Sequence, residues 1–213
     1  MLTVHHLGVS QSERIVWLCE ELEIPYTLKR YERDPQTRRA PAEYKALHPQ
    51  GTAPVISDGE LVLPESAAII EYIGRKYGGG RMSVAPDAPN YADYLYWFHY
   101  ANGSFMPVLM LQMLGLGLSA APDHPRMGFV MQRLAQARIL IEERLARSDY
   151  FAGPQLTGAD VMMMFPLSTM RNFSPLDLSQ MPATRAYLQR IAARPAYQRA
   201  MAKGDPGMPL KLL

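Results

Sequence analysis

The first third of the chain alternates short apolar runs with amphipathic segments, and this alternation restricts the fold more than any other feature of the sequence. Four apolar runs have the length of strands: residues 2–7, 26–31, 55–56 and 61–63. Three segments between or after them are expected to be helices: residues 15–22, 41–47 and 65–77. A Ser-Asp-Gly turn signal at residues 57–59 joins the last two strands as a hairpin. The order β-α-β-α-β-β-α predicts an α/β domain.

Beyond residue 80 the strand signals fade and helical patterns replace them. Three glycines at residues 78–80 end the last helix of the first part, and two prolines mark a linker within residues 83–89. Four later segments carry helical periodicity: residues 91–114, 126–146, 160–170 and 182–193. Thr157 and Asp160 predict a capping-box start for the third of these. We predict an α/β domain at residues 1–81, a linker at 82–89 and an all-helical domain at 90–213.

The composition excludes several classes of function. With 213 residues, 48% of them hydrophobic, the chain can bury a core in each of two modest domains. Its single cysteine, Cys19, excludes an internal disulfide and a multi-cysteine zinc site, and its place in an apolar helical stripe predicts burial. A net charge of +2 without a Lys/Arg block disfavours nucleic acid as a partner.

The N-terminal sequence and the histidines give further expectations. The first residues lack a basic leader, and no stretch approaches the roughly 20 apolar residues that cross a bilayer. We therefore expect a cytoplasmic protein with no membrane partner. His5 and His6 point to opposite faces of a strand, and neither His99 nor His124 has a ligand-spaced partner. We predict no metal site.

Two short motifs predict a binding site for a peptide-like ligand. Pro54 leaves Ala53 extended, so that the Ala53 backbone can pair with such a ligand. Pro64 fits a helix start, and Ser66 lies in the first turn, where free N–H groups favour a carboxylate. Glu65 supplies the charge that an ammonium group needs. A γ-glutamyl group carries both charges on one carbon, which points to glutathione.

The chain resembles the cytosolic glutathione S-transferase superfamily along essentially its whole length. Four motifs carry the resemblance: residues 10–16, 48–54, 65–69 and 157–160. The first is similar to the serine-containing loop and first helix of the theta, delta and zeta classes, and residues 39–43 resemble bacterial and fungal members of the Gtt1-like group. The resemblance implies a thioredoxin-like N-terminal domain, an all-α C-terminal domain, a cis Pro54 and a homodimer. In that dimer the thioredoxin-like domain of one subunit meets the helical domain of the other.

The serine loop is the candidate catalytic element. A thiol with a pKa of about 8.5 is only slightly ionised at neutral pH, yet its thiolate is the nucleophile. In the matching classes the first serine of this loop, four residues before the helix arginine, stabilises the thiolate. That spacing implies Ser10, with Arg14 as the arginine. Ser12 is the alternative, and the serine that does not contact sulfur is expected to cap the first helix.

The remaining site residues follow from the resemblance. Arg39 is expected to bind the glycine carboxylate of glutathione, with Arg38, Lys45 and His48 as competitors. Gln50 is a candidate for an extra polar contact. Thr52 stands where the family often has lysine, so we expect the contact made by that lysine to be weakened or replaced. The electrophile pocket is expected to involve aromatic residues of the first helix of the second domain, Tyr94, Trp97, Phe98 and Phe105. At helical spacing these residues also fit a plain core.

The predicted function is conjugation of glutathione to a small hydrophobic electrophile, a detoxification reaction that needs no further cofactor. One alternative is a glutathione-dependent peroxidase or disulfide reductase, although the serine loop lacks the cysteine that a glutaredoxin-like enzyme carries. The other is a non-catalytic binding module of the same fold. The set of residues suited to both ends of glutathione argues against this last reading.

Overall fold

The computed structural model describes residues 1–118 and 124–212. Within them the chain forms two compact units. The first contains Met1–Ser83 and Ala192–Pro209, and the second contains Val84–Ile191 and the last residues of the chain. The predicted linker at residues 82–89 stays a prediction. In the described part of the chain, every helix is too short or too polar to cross a membrane.

The first unit is built on a four-stranded sheet. Its strands are β1 (Leu2–Leu7), β2 (Thr27–Tyr31), β3 (Val55–Asp58) and β4 (Leu61–Pro64). The order across the sheet is β2-β1-β3-β4. β1 runs parallel to β2 and antiparallel to β3, and β3 and β4 form the predicted hairpin. Together with the helices between them, these strands confirm the thioredoxin-like fold that the sequence predicts.

Three helices of the first unit follow the predicted order. They are α1 (Glu13–Leu22), α2 (Ala42–Lys45) and α3 (Ser66–Lys76). The apolar stripe of α1 is fully buried, and it includes Cys19 at 0% exposure, as expected. Pro64 ends β4, and α3 begins two residues later at Ser66, within one residue of the predicted start at residue 65. The strand ladder uses Pro64 as its last residue, paired with Val55.

The second unit is helical. Its helices are α4 (Tyr91–Tyr100), α5 (Met106–Gly117), α6 (Pro125–Arg147), α7 (Gly158–Leu167) and α8 (Pro182–Ala192). The backbone is helical throughout the predicted range of residues 91–114, but a π-helical turn at Ala101–Phe105 divides it into α4 and α5. Pro107 has no N–H to donate to the carbonyl of Gly103, so the regular α-helical ladder cannot continue through this point.

The chain then returns to the first unit as α9 (Pro195–Gly204), a helix that was not predicted. It packs on α1, where the rings of Trp17 and Tyr197 meet edge to face with centroids 5.2 Å apart. Its buried side chains are Ala196, Tyr197, Ala200 and Met201, and this helical spacing was present in the sequence. The end of α9 leads directly to Asp205.

The predicted capping box starts α7. The Thr157 hydroxyl accepts the Ala159 N–H at 3.2 Å, and the Asp160 carboxylate accepts the Thr157 N–H at 2.8 Å. The second oxygen of Asp160 accepts the Phe151 N–H at 2.9 Å. Thr157 and Phe151 are 5% and 0% exposed, so these donors have no access to water if the carboxylate is removed.

We expect Asp160→Ala to lower the free energy of unfolding by about 3 kcal/mol, because it leaves two buried N–H groups without an acceptor. Thr157→Ala should cost about 1 kcal/mol, the value of a lost cap. Asp177→Ala is the matched control, since this exposed carboxylate accepts the Ser179 N–H at 2.9 Å. Urea unfolding measures all three. Equal losses for Asp160→Ala and Asp177→Ala would contradict the role given to burial.

Candidate functional site

The segments that carry the candidate residues all begin or end at the same edge of the sheet. Leu7, the end of β1, is paired with Tyr31, the end of β2. On the other side His5 pairs with Val55, the start of β3, and Val55 pairs with Pro64, the end of β4. The Ser10 loop, the Ala53-Pro54 peptide, the Glu65-Ser66 pair and the loop carrying Arg39 therefore all leave the sheet at this edge.

Ser10 and Ser12 form a pair of hydroxyl groups between β1 and α1. Their oxygens lie 2.7 Å apart, and the Ser10 hydroxyl also donates to Leu7 O at 2.6 Å. Ser12 is completely buried, whereas Ser10 keeps 5% of its surface exposed. Ser12 occupies the N-cap position of α1 but makes no side-chain capping bond. The expectation that Ser12 caps the helix is wrong, because its hydroxyl faces the ring of His6 at 2.9 Å instead.

The backbone just before Ser10 is strained. Val9 has a φ of 51°, a left-handed conformation that is rare for a β-branched residue. The Asp205 carboxylate accepts the Val9 N–H at 2.9 Å, and the Arg33 guanidinium donates to Gly8 O at 2.8 Å and to Val9 O at 3.3 Å. These contacts hold the serine loop in a conformation that its own sequence disfavours.

Sequence reasoning did not identify Arg33 or Asp205 as part of this region. No local motif indicates either residue. Asp205 lies 196 residues from Val9 in the chain. The available signal was the helical spacing of α9, which predicts a buried helix ending just before Asp205.

A buried arginine lies behind the N-terminus of α3. The Arg14 guanidinium is 1% exposed and donates to the Ser66 hydroxyl at 3.1 Å and to the side-chain oxygen of Gln11. Burial lowers the pKa of Arg14, an effect that Glu13 opposes. The cation adds to the positive end of the α3 dipole and to the free N–H groups of its first turn. The start of α3 therefore suits a carboxylate.

Glu65 lies at the same helix start and is also strained. Its φ of 75° is unusual for a residue with a side chain, and its carboxylate is exposed. The side-chain amide of Gln50 donates to this carboxylate at 3.1 Å. The structure thus brings together Gln50, Glu65 and Ser66, of which the first two present polar groups to solvent. Such a cluster can bind a group that carries both an ammonium and a carboxylate.

The Ala53-Pro54 peptide bond is cis, as the family resemblance implied. Pro54 is buried, Ala53 is half-buried and Thr52 is exposed. On the neighbouring loop Arg39 is exposed, and its guanidinium has no ion-pair or hydrogen-bond partner among residues 1–118 and 124–212. Arg38 is exposed in the same way, with a backbone φ of 59°. Both cations are available to an anionic ligand.

The four aromatic residues assigned to the electrophile pocket lie inside the helical unit. Tyr94, Trp97, Phe98 and Phe105 are 5%, 3%, 1% and 0% exposed. Trp97 packs on Phe151 with ring centroids 4.9 Å apart. Their role in a pocket stays a prediction. Two other aromatic residues of α4, Tyr96 and Tyr100, border a cleft of about 550 Å³ on the same unit.

The buried cysteine offers no accessible nucleophile. Burial, together with the neighbouring Glu20, raises the pKa of the Cys19 thiol far above its ordinary value. Since Cys19 is the only cysteine of the chain, thiol chemistry at this protein has to use a sulfur supplied by a ligand. In the part of the chain that the structure describes, His, Cys, Asp and Glu side chains do not gather in groups able to hold a metal ion.

A thioredoxin-like sheet with a cis proline at its edge, followed by a helical unit, defines the glutathione transferase class of folds. Residues 10–76 match the family "Glutathione S-transferase, N-terminal domain", and residues 106–195 match "Glutathione S-transferase, C-terminal domain". These matches cover both units.

Individual relatives agree with the family matches. The chain is 34% identical to glutathione S-transferase 3 of Schizosaccharomyces pombe, over 95% of this chain and 88% of the relative. It is 28% identical to glutathione S-transferase 1 of Saccharomyces cerevisiae, over 95% of each. A crystal structure of a glutathione S-transferase from Actinobacillus pleuropneumoniae superimposes with a TM-score of 0.87 at 34% identity, covering 96% of this chain and 93% of that one. The chain belongs to the glutathione S-transferase family and is a transferase enzyme.

Proposed function

We propose that the enzyme binds glutathione at this sheet edge, stabilises its thiolate with the Ser10 hydroxyl and conjugates it to a hydrophobic electrophile. The sulfur forms a bond to the electrophilic carbon, the leaving group departs with its electron pair, and the thiol proton passes to solvent. The observation that carries the proposal is that Ser10, at the start of α1, keeps 5% of its surface exposed, whereas Ser12 is fully enclosed.

The local electrostatics support an anionic sulfur at this position. A hydroxyl that donates a hydrogen bond favours the charged form of a thiol, and so does the positive end of a helix. Ser10 lies three residues before the first residue of α1, so both effects act in the same place. In the free enzyme the Ser10 proton points to Leu7 O, and it can turn to the sulfur when the ligand binds.

We expect Ser10→Ala to raise the pKa of bound glutathione by one to two units, because a hydrogen bond to a charged group contributes about 1.5–3 kcal/mol. The thiolate absorbance band of the enzyme complex measures this pKa directly. Below that pKa the conjugation rate with a haloarene should fall about 10- to 100-fold. Ser10→Thr retains a hydroxyl and is the matched control. An unchanged thiol pKa in Ser10→Ala would show that Ser10 is misassigned.

The two ends of glutathione are assigned to separate groups. We place the γ-glutamyl ammonium at the Glu65 carboxylate, with Gln50 beside it, and the γ-glutamyl carboxylate at the start of α3 near Ser66. The buried charge of Arg14 supports this carboxylate from behind. Ala53 offers its backbone to the cysteinyl part of the ligand, with Thr52 at the margin. The glycine carboxylate is assigned to Arg39, whose guanidinium can form a fork with two oxygens.

We expect Arg39→Ala to raise the KM for glutathione about tenfold or more with little change in kcat. The lost contact stabilises the bound substrate and the transition state equally, so its loss weakens binding without slowing the chemical step. Glutathione esterified at its glycine carboxylate supplies the second half of the test. The native enzyme should bind the ester more weakly than it binds glutathione. The Arg39→Ala enzyme should bind the ester and glutathione with equal affinity. Arg38→Ala is the matched control. If Arg38→Ala rather than Arg39→Ala removes the preference for the free carboxylate, the assignment moves to Arg38.

The second substrate is proposed to be a small hydrophobic electrophile, and a position in the cytoplasm would give the enzyme reduced glutathione. Tyr94, Trp97, Phe98 and Phe105 would then support the electrophile pocket as packed walls rather than as exposed surfaces. Turnover of a hydroperoxide without any turnover of a haloarene would overturn conjugation as the main activity.

We also propose a homodimer. β4 is an edge strand, and it exposes Leu61 and Val62 at 38% and 40%. These side chains suit the cleft bordered by Tyr96 and Tyr100 on the helical unit of a second copy. An uncovered apolar edge strand is otherwise prone to aggregation, which favours a partner at this surface.

We expect Leu61→Lys to shift the enzyme from dimer to monomer at micromolar concentration, because it places a charge in the proposed interface. Leu210→Lys is the matched control, since Leu210 is also 38% exposed but lies elsewhere in the chain. Sedimentation velocity measures both. A monomeric native enzyme, or a Leu61→Lys variant that remains a dimer, would contradict this interface.

A further inference from the structure

A chain of four side chains runs from the end of α9 to the candidate catalytic serine. The Asp205 carboxylate lies 3.2 Å from His6 Nε2, and His6 Nδ1 lies 2.9 Å from the Ser12 hydroxyl. The Ser12 oxygen lies 2.7 Å from the Ser10 oxygen. His6 and Ser12 are both 0% exposed, so water does not compete for these contacts. We propose that Asp205 and His6, acting through Ser12, are positioning residues that aim the Ser10 hydroxyl at the glutathione sulfur.

The Asp205 carboxylate fixes one end of this chain. Burial opposes its ionisation, but the hydrogen bond and charge of His6, with the Val9 N–H and nearby Arg30, hold the pKa of Asp205 below its ordinary value. Beside an ionised carboxylate the His6 ring keeps its proton on Nε2. The two side chains form an ion pair when the ring carries a proton on both nitrogens. Arg33 is the other cation that faces this carboxylate.

The positions of the protons then decide which serine faces the ligand. With Nδ1 protonated, the Ser12 oxygen accepts from His6 and from the Leu7 N–H at 3.1 Å, and its own proton goes to the Ser10 oxygen at 2.7 Å in preference to Leu7 O at 3.3 Å. The Ser10 oxygen accepts this proton and the Ser12 N–H at 3.2 Å. Both lone pairs of each oxygen are then used. The only proton left to donate outward is that of Ser10.

The opposite arrangement would weaken Ser10 as a donor. If Nδ1 carried no proton, it would take the Ser12 proton, and the Ser12 oxygen would then attract the Ser10 hydroxyl away from the sulfur. In the arrangement with a proton on Nδ1 each donor polarises the next, which strengthens the last hydrogen bond of the series. The relay therefore links the charge on His6 to the strength of the Ser10 contact with the thiolate.

The fold reserves space for the His6 ring. A Cβ atom added at Gly204 would lie 3.3 Å from His6 Nε2 and 3.4 Å from His6 Cε1, closer than most side-chain carbons approach a neighbour. The same turn places Asp205 so that its second oxygen accepts the Val9 N–H at 2.9 Å. One carboxylate thus orients the ring that contacts Ser12 and holds the backbone next to Ser10. The proposal rests on the proposed role of Ser10 in stabilising the thiolate.

Ser12→Ala tests the link with the smallest change, because Ser12 makes no capping bond to α1. We expect the pKa of enzyme-bound glutathione to rise by about half a unit, with an about threefold fall in kcat below that pKa. The KM for glutathione should stay within about twofold, since the tail contacts are untouched. Ser57→Ala is the matched control: Ser57 makes the equivalent contact to His5 Nε2 at 3.0 Å and should change neither quantity.

His6→Phe removes the other side of the same contact while filling the space of the ring. We expect it to raise the thiol pKa by the same amount, and the double variant with Ser12→Ala to show no greater rise than either single variant. If one variant fails to fold, the other still measures the link, because each removes one partner of the Ser12–His6 contact.

The outcomes separate the relay from the proposed function. A raised thiol pKa in Ser10→Ala together with an unchanged pKa in Ser12→Ala would overturn the relay and leave the role of Ser10 intact. Additive effects of His6→Phe and Ser12→Ala would also overturn it. An unchanged thiol pKa in Ser10→Ala would refute the proposed function itself, and the relay with it.

Discussion

The antiparallel pairing of β1 with β3 is the constraint on which the site depends. It sets the end of β1 beside the start of β3, so that the serine loop and the cis-proline peptide leave the sheet at the same edge. A slip of one residue would turn every side chain of β1 to the other face. His6 would then lose Ser12 and Asp205, and His5 would lose Tyr31 and Ser57. The register fixes which histidine belongs to the site.

Local patterns in the sequence predicted the strands and most helices, and they also indicate the motifs of the proposed ligand site. Pro54, Glu65 and Ser66 are recognisable because the chemistry of each depends on its immediate neighbours in the chain. The predicted capping box at Thr157 is correct for the same reason. Patterns of this kind report local backbone geometry, and the α/β order together with the thioredoxin-like fold follows from them.

The features that the sequence did not reveal depend on contacts between distant residues. Ser12 has the residue type and position of a helix cap, yet a histidine from the neighbouring strand competes successfully for its hydroxyl. Asp205 lies 199 residues from His6 and belongs to no motif. The π-helical turn at Ala101–Phe105 is a further case, because periodicity continues through it and only the missing N–H of Pro107 hints at a break. Tertiary contacts overrule local preference at these points.

Strain and charge are concentrated at the same sheet edge. Val9 and Glu65 both adopt left-handed backbone conformations next to groups proposed to contact glutathione, and such residues cost of order 1–3 kcal/mol each. Asp205 and Gln50 provide hydrogen bonds that offset part of this cost. Strain that persists beside a binding site is consistent with a backbone shaped for a ligand rather than for stability alone.

On the proposed function, the balance of charge explains why an uncharged hydroxyl would be sufficient at the sulfur. The buried Arg14, the exposed Arg39 and the N-termini of α1 and α3 all favour negative charge at this edge. A basic side chain beside the thiol would take up the proton and remain charged, whereas a hydroxyl needs only to donate a hydrogen bond while the proton leaves for solvent. In the proposed mechanism, the anion is therefore stabilised by a fixed donor and by the surrounding positive potential. The buried side chains behind that donor would then have to maintain its orientation.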